Sequence, residues 1–296
     1  MSSISRSEVI CCAPTGDRCG EGVLWHAEEQ AVYWTDINRF LIHRYLPARK
    51  TVESWFFDEP VTAVLLTASA DTLLVCLGSR VILWKPATDA RTPLGFELPG
   101  WPSVRLNDAA IDPRGSLLAG SMRNNVNSNG SEGEAGGTDG KLFRIDPAGE
   151  VTLCEQGIGI SNTLVWSPDQ RHFYFADSLA NEIWVYHYDS ATGTITKAGT
   201  HFAGFERGAP DGSAMDQDGY LWNCRYGGSC IVRVSPNGAV DQVIEMPVKN
   251  ITNCTFGGPD RDILYITTAA SSERLSGSLF MLETKTAGLP ENRFRL

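Results

Sequence analysis

Six short apolar runs recur along the chain, "AVYW", "TLLV", "SLLA", "HFYF", "GYLW" and "DILY", each of strand rather than helix length and each bounded by turn residues. Their third positions, Tyr33, Leu74, Leu118, Tyr174, Leu221 and Leu264, lie 41, 44, 56, 47 and 43 residues apart. A repeat of that length made of strands is a propeller blade of about four strands. Turn signals follow in register in "DPRGS", "SPDQR", "DQDGY" and "GPDRD", and further strands in "FLIHRYLP", "KLFRIDPAGEV", "EIWVYHYDSATGTI" and "CIVRVSPNGAV". Helical periodicity is absent over any long window. The pattern predicts one all-β domain over residues 1–296, a six-bladed β-propeller closed by pairing an N-terminal strand with the C-terminal "SLFMLET".

The interval of 56 residues has a visible cause, the Gly-, Asn- and Ser-rich stretch "NNVNSNGSEGEAGGTDG" at 124–140. It reads as an inserted loop, either a lid or a plain surface excursion.

A second repeat precedes each anchor run. The segments "EGVLW", "TAVLL", "NDAAI", "NTLVW", "DGSAM" and "NCTFG" begin with Glu21, Thr62, Asn107, Asn162, Asp211 and Asn253, which stand 12, 12, 11, 12, 10 and 11 residues before the anchors. Equivalent positions of successive blades lie on a circle around the central channel, so these polar residues are expected to converge at one of its mouths. Glu21, Asn162 and Asp211 would supply two carboxylates and an amide oxygen, a hard donor set for Ca²⁺, Mg²⁺ or Mn²⁺, with Zn²⁺ also compatible. Two carboxylates held together out of water repel unless a proton or a cation compensates them. A solvated polar rim is the other reading of the same residues. Gly22 and Gly212, directly after Glu21 and Asp211, would allow unusual backbone angles or close approach.

Composition narrows the partners. A net charge of -10 lacks the clustered Lys and Arg that a nucleic-acid partner needs. No apolar run reaches the length of a membrane span, and the N-terminus has no signal-peptide core. The eight cysteines show no CxxC or zinc spacing and are expected as free, largely buried thiols of a cytoplasmic protein. A monomer is expected. There is no G-x-S-x-G elbow, P-loop or H-E-x-x-H motif, and the histidines fall outside the ring phase.

The segments "CGEGVLW", "VRLNDAAIDPRGSLLAGSM", "GISNTLVWSPDQRHFYFADS" and "GAPDGSAMDQDGYLWNC" together resemble the gluconolactonase, regucalcin and senescence-marker-protein family over about residues 17–285. The resemblance implies one catalytic divalent metal in the channel mouth, with Glu21, Asn162 and Asp211 on its ligand positions and Arg105 and Asn107 on the substrate-contacting pair. For Arg105 the residues alone allow equally a salt bridge to an interior carboxylate such as Asp108. After "AGSM", where many relatives carry acidic residues, this chain has Arg123, Asn124 and Asn125; Arg123 and Asn124 are therefore candidate substrate contacts that set it apart. The implied activity is hydrolysis of a pentono- or hexonolactone to the aldonic acid, with the water activated by Asp211 or by the metal. An organophosphate or other ester hydrolase on the same site, and a calcium-binding propeller without turnover, are the competing readings.

Overall fold

A computed structural model describes residues 8–296, and the first seven residues of the expected domain lie outside the described residues. Twenty-four strands, from β1 (Ile10–Ala13) to β24 (Leu279–Glu283), form six four-stranded antiparallel sheets. These are the six blades of a β-propeller. In blade one the order is β2 (Gly20–His26), β3 (Ala31–Asp36), β4 (Leu41–Leu46), β5 (Thr51–Phe56), and the next four blades repeat it. The sixth is closed by the two chain ends: β1 pairs with β24, Ile10 opposite Met281 and Cys11 opposite Phe280. The expected closure pairs "SLFMLET" in this way.

The anchor runs are the second strand of each blade, and their unbroken apolar character has a packing cause. Side chains alternate between the two faces of a strand, and here both faces are covered by neighbouring blades. Along β3, Ala31 and Tyr33 join the cluster shared with blade two, whereas Val32 and Trp34 join the cluster shared with blade six. All six interblade seams hold such a cluster. Burial falls off outward, so that β3 is buried throughout while β5 is mostly exposed.

Turns are fixed by local carboxylates. Asp112 accepts the backbone N–H groups of Arg114 and Ser116, and Asp216 those of Asp218 and Tyr220. After β24 the chain runs across one end of the central channel. There the Leu289 N–H donates to Met215 O at 3.2 Å, Asn292 Nδ2 to Ile111 O at 2.9 Å and the Phe294 N–H to Leu66 O at 2.9 Å. Phe294 is buried in the seam between blades two and three. Above this tail lies a channel cavity of about 300 Å³ whose walls include Asp108, Asn253, Thr255 and Glu291. No helix among the described residues is long and apolar enough to cross a membrane. All eight cysteines are free.

Candidate active site

The six ring residues sit on the innermost strands: Glu21 on β2, Thr62 on β6 (Val61–Leu66), Asn107 on β10 (Val104–Ile111), Asn162 on β14 (Ser161–Trp166), Asp211 on β18 (Ala209–Met215) and Asn253 on β22 (Ile251–Gly257). The register of each inner strand slips at or beside its ring residue, between Glu21 and Leu24, Asn162 and Val165, Pro210 and Ser213, and equivalently in the rest. Such bulges re-aim a side chain out of the pleat. They explain why a polar residue opens each apolar strand. Gly22 takes φ +53° and Thr163 φ +55° immediately after Glu21 and Asn162. For a β-branched residue that conformation is strained, and the Thr163 hydroxyl offsets it by donating to Asp211 O.

The two glycines play different parts. Gly22 supplies the positive φ, whereas Gly212 has no such angle but is pressed against a side chain, since a Cβ there would meet Asn253 Oδ1 at 2.3 Å. The approach to the ring is also fixed by carboxylates. Asp36 accepts the N–H groups of Arg18 and Cys19 just before Glu21, and Asp177 those of Gly159 and Ile160 just before Asn162.

Polar contacts cross from blade to blade around the ring. Asn253 Nδ2 donates to Glu21 Oε2 at 3.1 Å, as does the Gly22 N–H at 2.9 Å. Arg105 Nη1 donates to Asn107 Oδ1 at 2.7 Å, and Asn107 Nδ2 to Asn162 Oδ1 at 3.0 Å. Asn162 Nδ2 donates to Ser178 Oγ at 2.8 Å, and the Ser178 hydroxyl to Pro210 O at 2.6 Å, directly before Asp211. The Asn162 amide is thereby held from both sides, its nitrogen by Ser178 and its oxygen by Asn107. Asn223 Nδ2 donates to Asp211 O at 3.3 Å, and the fully buried Arg225 supports Asn223.

Electrostatically the site is short of positive charge. Burial raises the Asp211 carboxyl well above its ordinary range, with the Glu21 and Asp108 charges adding to it. Burial raises Glu21 as well. Asp108 is pushed up to about 8 by burial and then by Glu21, and the Arg105 guanidinium is brought down to about 10 by burial. These carboxyls stay raised despite the nearby Arg105 and Arg225, so the cluster favours a further proton or cation. The donor chemistry of Glu21, Asp211 and Asn162 Oδ1 fits a hard divalent ion. Among the described residues no three His, Cys, Asp or Glu side chains are placed to hold a metal, so a neutral amide oxygen is needed to complete the set.

Arg105 makes no ion pair with Asp108; it bonds Leu106 O, Asn107 and Asn125. Thr62 turns its hydroxyl to Cys76 O. Arg123 and Asn124 are engaged away from this network: Arg123 is half-exposed and ion-paired with Asp139 at 2.7 Å, while Asn124 donates to Pro102 O and caps the Val126 N–H. The insert does bring Asn125 into hydrogen bonds with Arg105, and the charge of Glu132 acts on the same guanidinium. Sequence reasoning noted Asn125 beside Arg123 and Asn124 but did not single it out as a contact, and it missed Ser178; neither position carries a repeat phase. Asn223 and Arg225 had a readable signal, two polar residues alternating along the buried strand "LWNCRY".

A family model described as the SMP-30/Gluconolactonase/LRE-like region matches residues 19–270. The chain belongs to this family. It is similar to a protein named pentonolactonase XacC of Haloferax volcanii, 32% identical over 94% of this chain and 95% of the relative. It is also similar to the regucalcin of Xenopus laevis, 30% identical over 91% of this chain and 88% of the relative. Among solved structures, one described as a calcium-binding protein, regucalcin, from Agrobacterium tumefaciens covers the whole of both chains with a TM-score of 0.90 at 26% identity.

Proposed function

We propose that the protein is a divalent-metal-dependent sugar lactonase that opens a pentono- or hexonolactone to its aldonic acid. The observations that carry this reading are that Glu21, Asn162 and Asp211 stand at one phase of the inner strands of three blades, that the Glu21 charge acts on Asp211, and that Asn162 is hydrogen-bonded to the Arg105–Asn107 pair. Family membership supports it, as does the name of the Haloferax volcanii relative, and the regucalcin described as calcium-binding supports an ion at the carboxylates.

A divalent cation, when bound, supplies a Lewis acid for the lactone carbonyl and the charge that the carboxylates lack. Calcium, magnesium, manganese and zinc all accept such donors. Asp211 serves as general base, taking a proton from the attacking water. Asn162 is held for its part by Ser178 and Asn107, and Glu21 by Asn253. Arg105 and Asn107 orient the sugar through hydrogen bonds to its oxygens. Free cysteines suit a reducing compartment, and we place the protein in the cytoplasm as a monomer acting on a small molecule.

The test follows lactone disappearance by NMR for a panel of pentono- and hexonolactones, with a phosphotriester and a simple aryl ester in parallel. Turnover of the sugar lactones above the other substrates supports the proposal. Preference for the phosphotriester or aryl ester, or cation binding with no turnover of any substrate, refutes it.

A further inference from the structure

The insert is folded back on itself as a short hairpin. The Asn127 N–H donates to Ser131 O at 3.0 Å, the Gly133 N–H to Asn125 O at 2.7 Å, and Val126 is bridged to Glu132. Its tip reaches from blade three to blade one. Gly130 O there accepts Arg18 Nη1 at 3.0 Å and Asn38 Nδ2 at 3.2 Å, and Val126 is buried against Ile37, Phe40 and the half-buried Cys19. Gly130 has φ +75°, and a Cβ on it would come within 2.1 Å of Asn38 O. The docked tip therefore has a tightly defined seat.

At the base of the same hairpin, Asn125 Oδ1 accepts both Arg105 Nε at 3.2 Å and Arg105 Nη2 at 2.9 Å. With Nη1 bonded to Leu106 O and Asn107 Oδ1, four of the five guanidinium N–H groups are assigned, and the plane of the group is fixed. Arg105 is also linked through Asn107 to Asn162.

We infer that the 124–140 insert is a latch and that Asn125 is a positioning residue: docking of the tip on blade one holds Asn125 against Arg105, which aims the remaining guanidinium N–H at an oxygen of the sugar lactone. The inference rests on the lactonase reading. It accounts for a specificity device in a segment whose Arg123 and Asn124 are turned to other partners. Without Asn125 the guanidinium keeps only its Nη1 bonds and can pivot about them, so each arriving substrate must order it, and that cost falls on binding rather than on the chemical step.

The experiment compares steady-state kinetics of wild type, Asn125→Ala, Asn125→Asp, Gly130→Ala and the Asn125→Ala/Gly130→Ala double variant on whichever lactone wild type opens fastest, with a thermal melt of each. Asn125→Ala and Gly130→Ala are expected to raise KM about tenfold, the worth of one charge-assisted hydrogen bond, with kcat little changed. Asn125→Asp, which keeps the two acceptor contacts, should restore most of the KM. The double variant should be no worse than Asn125→Ala alone, because both changes break one path. An unchanged KM in Asn125→Ala, or a Gly130→Ala protein that melts lower yet binds substrate as wild type does, overturns the latch. A wild-type protein that opens no lactone instead overturns the functional reading and the inference with it.

Discussion

Replacing Ser178 by alanine removes one hydroxyl and leaves two groups without a partner. That hydroxyl receives Asn162 Nδ2 at 2.8 Å and donates to Pro210 O at 2.6 Å, so it ties the amide of blade four to the residue preceding Asp211 on blade five. An orphaned buried polar group costs about 1–3 kcal/mol. Ser178 itself is half-buried, and solvent can reach part of the gap. The lower end applies to each group, giving a loss of about 2 kcal/mol and, for a chain of 296 residues, a fall in melting temperature of about 3 °C. A second effect separates a site role from a purely structural one. Once Nδ2 is unrestrained the Asn162 amide can rotate and turn its oxygen away, and loss of such an outer partner typically costs about 10–100-fold in metal affinity. Calorimetric titration of metal-stripped protein with a divalent cation, beside a circular-dichroism melt, reads both. A Ser178→Ala protein that melts lower but keeps wild-type cation affinity would refute the claim that this contact orients a ligand.

Three further outcomes follow from the same geometry. Gly212→Ala places a Cβ on the Asn253 side chain and pushes it off Glu21; lactone turnover should fall sharply for a stability cost of about 1–3 kcal/mol, read by initial rates and a urea titration. Phe294→Ala empties a seat in the seam between blades two and three and should cost about 3–5 kcal/mol while leaving KM unchanged, since the tail crosses the end of the channel away from the ring. His201, packed edge-on against Tyr174 at 4.6 Å between ring centroids, is held down to about 4 by burial. A lowered folded value means that the stability it contributes is present above its ordinary 6.5 and is lost as pH falls toward 4; His201→Gln should flatten melting temperature against pH across that window.

The blades were legible because their second strands are buried on both faces, which writes each as an unbroken apolar run recurring at blade spacing. The ring was legible for a related reason: a bulge at the same phase of every inner strand demands a residue that leaves the pleat, and a polar letter marks it. Arg105 is different. It lies two residues before the ring position Asn107, on no repeat, and only the family resemblance pointed to it. Asn125 was hidden because it acts through a hairpin whose Gly- and Ser-rich sequence reads equally as lid or excursion; the docking of Val126 and Gly130 on blade one depends on surfaces formed some ninety residues earlier in the chain. Ser178 and the tail around Phe294 share that opacity. Their contacts are single, long-range and without period.

The central claim is that Glu21, Asn162 and Asp211 hold one divalent ion on which lactone opening depends. The most direct measurement is proton release from the preferred lactone by metal-stripped protein as a divalent cation is titrated in, for wild type and Asp211→Asn side by side. The account predicts a stripped wild type with almost no activity, recovery complete at one equivalent of cation, and no recovery in Asp211→Asn. Undiminished turnover by the stripped protein, or full recovery in the variant, would contradict it.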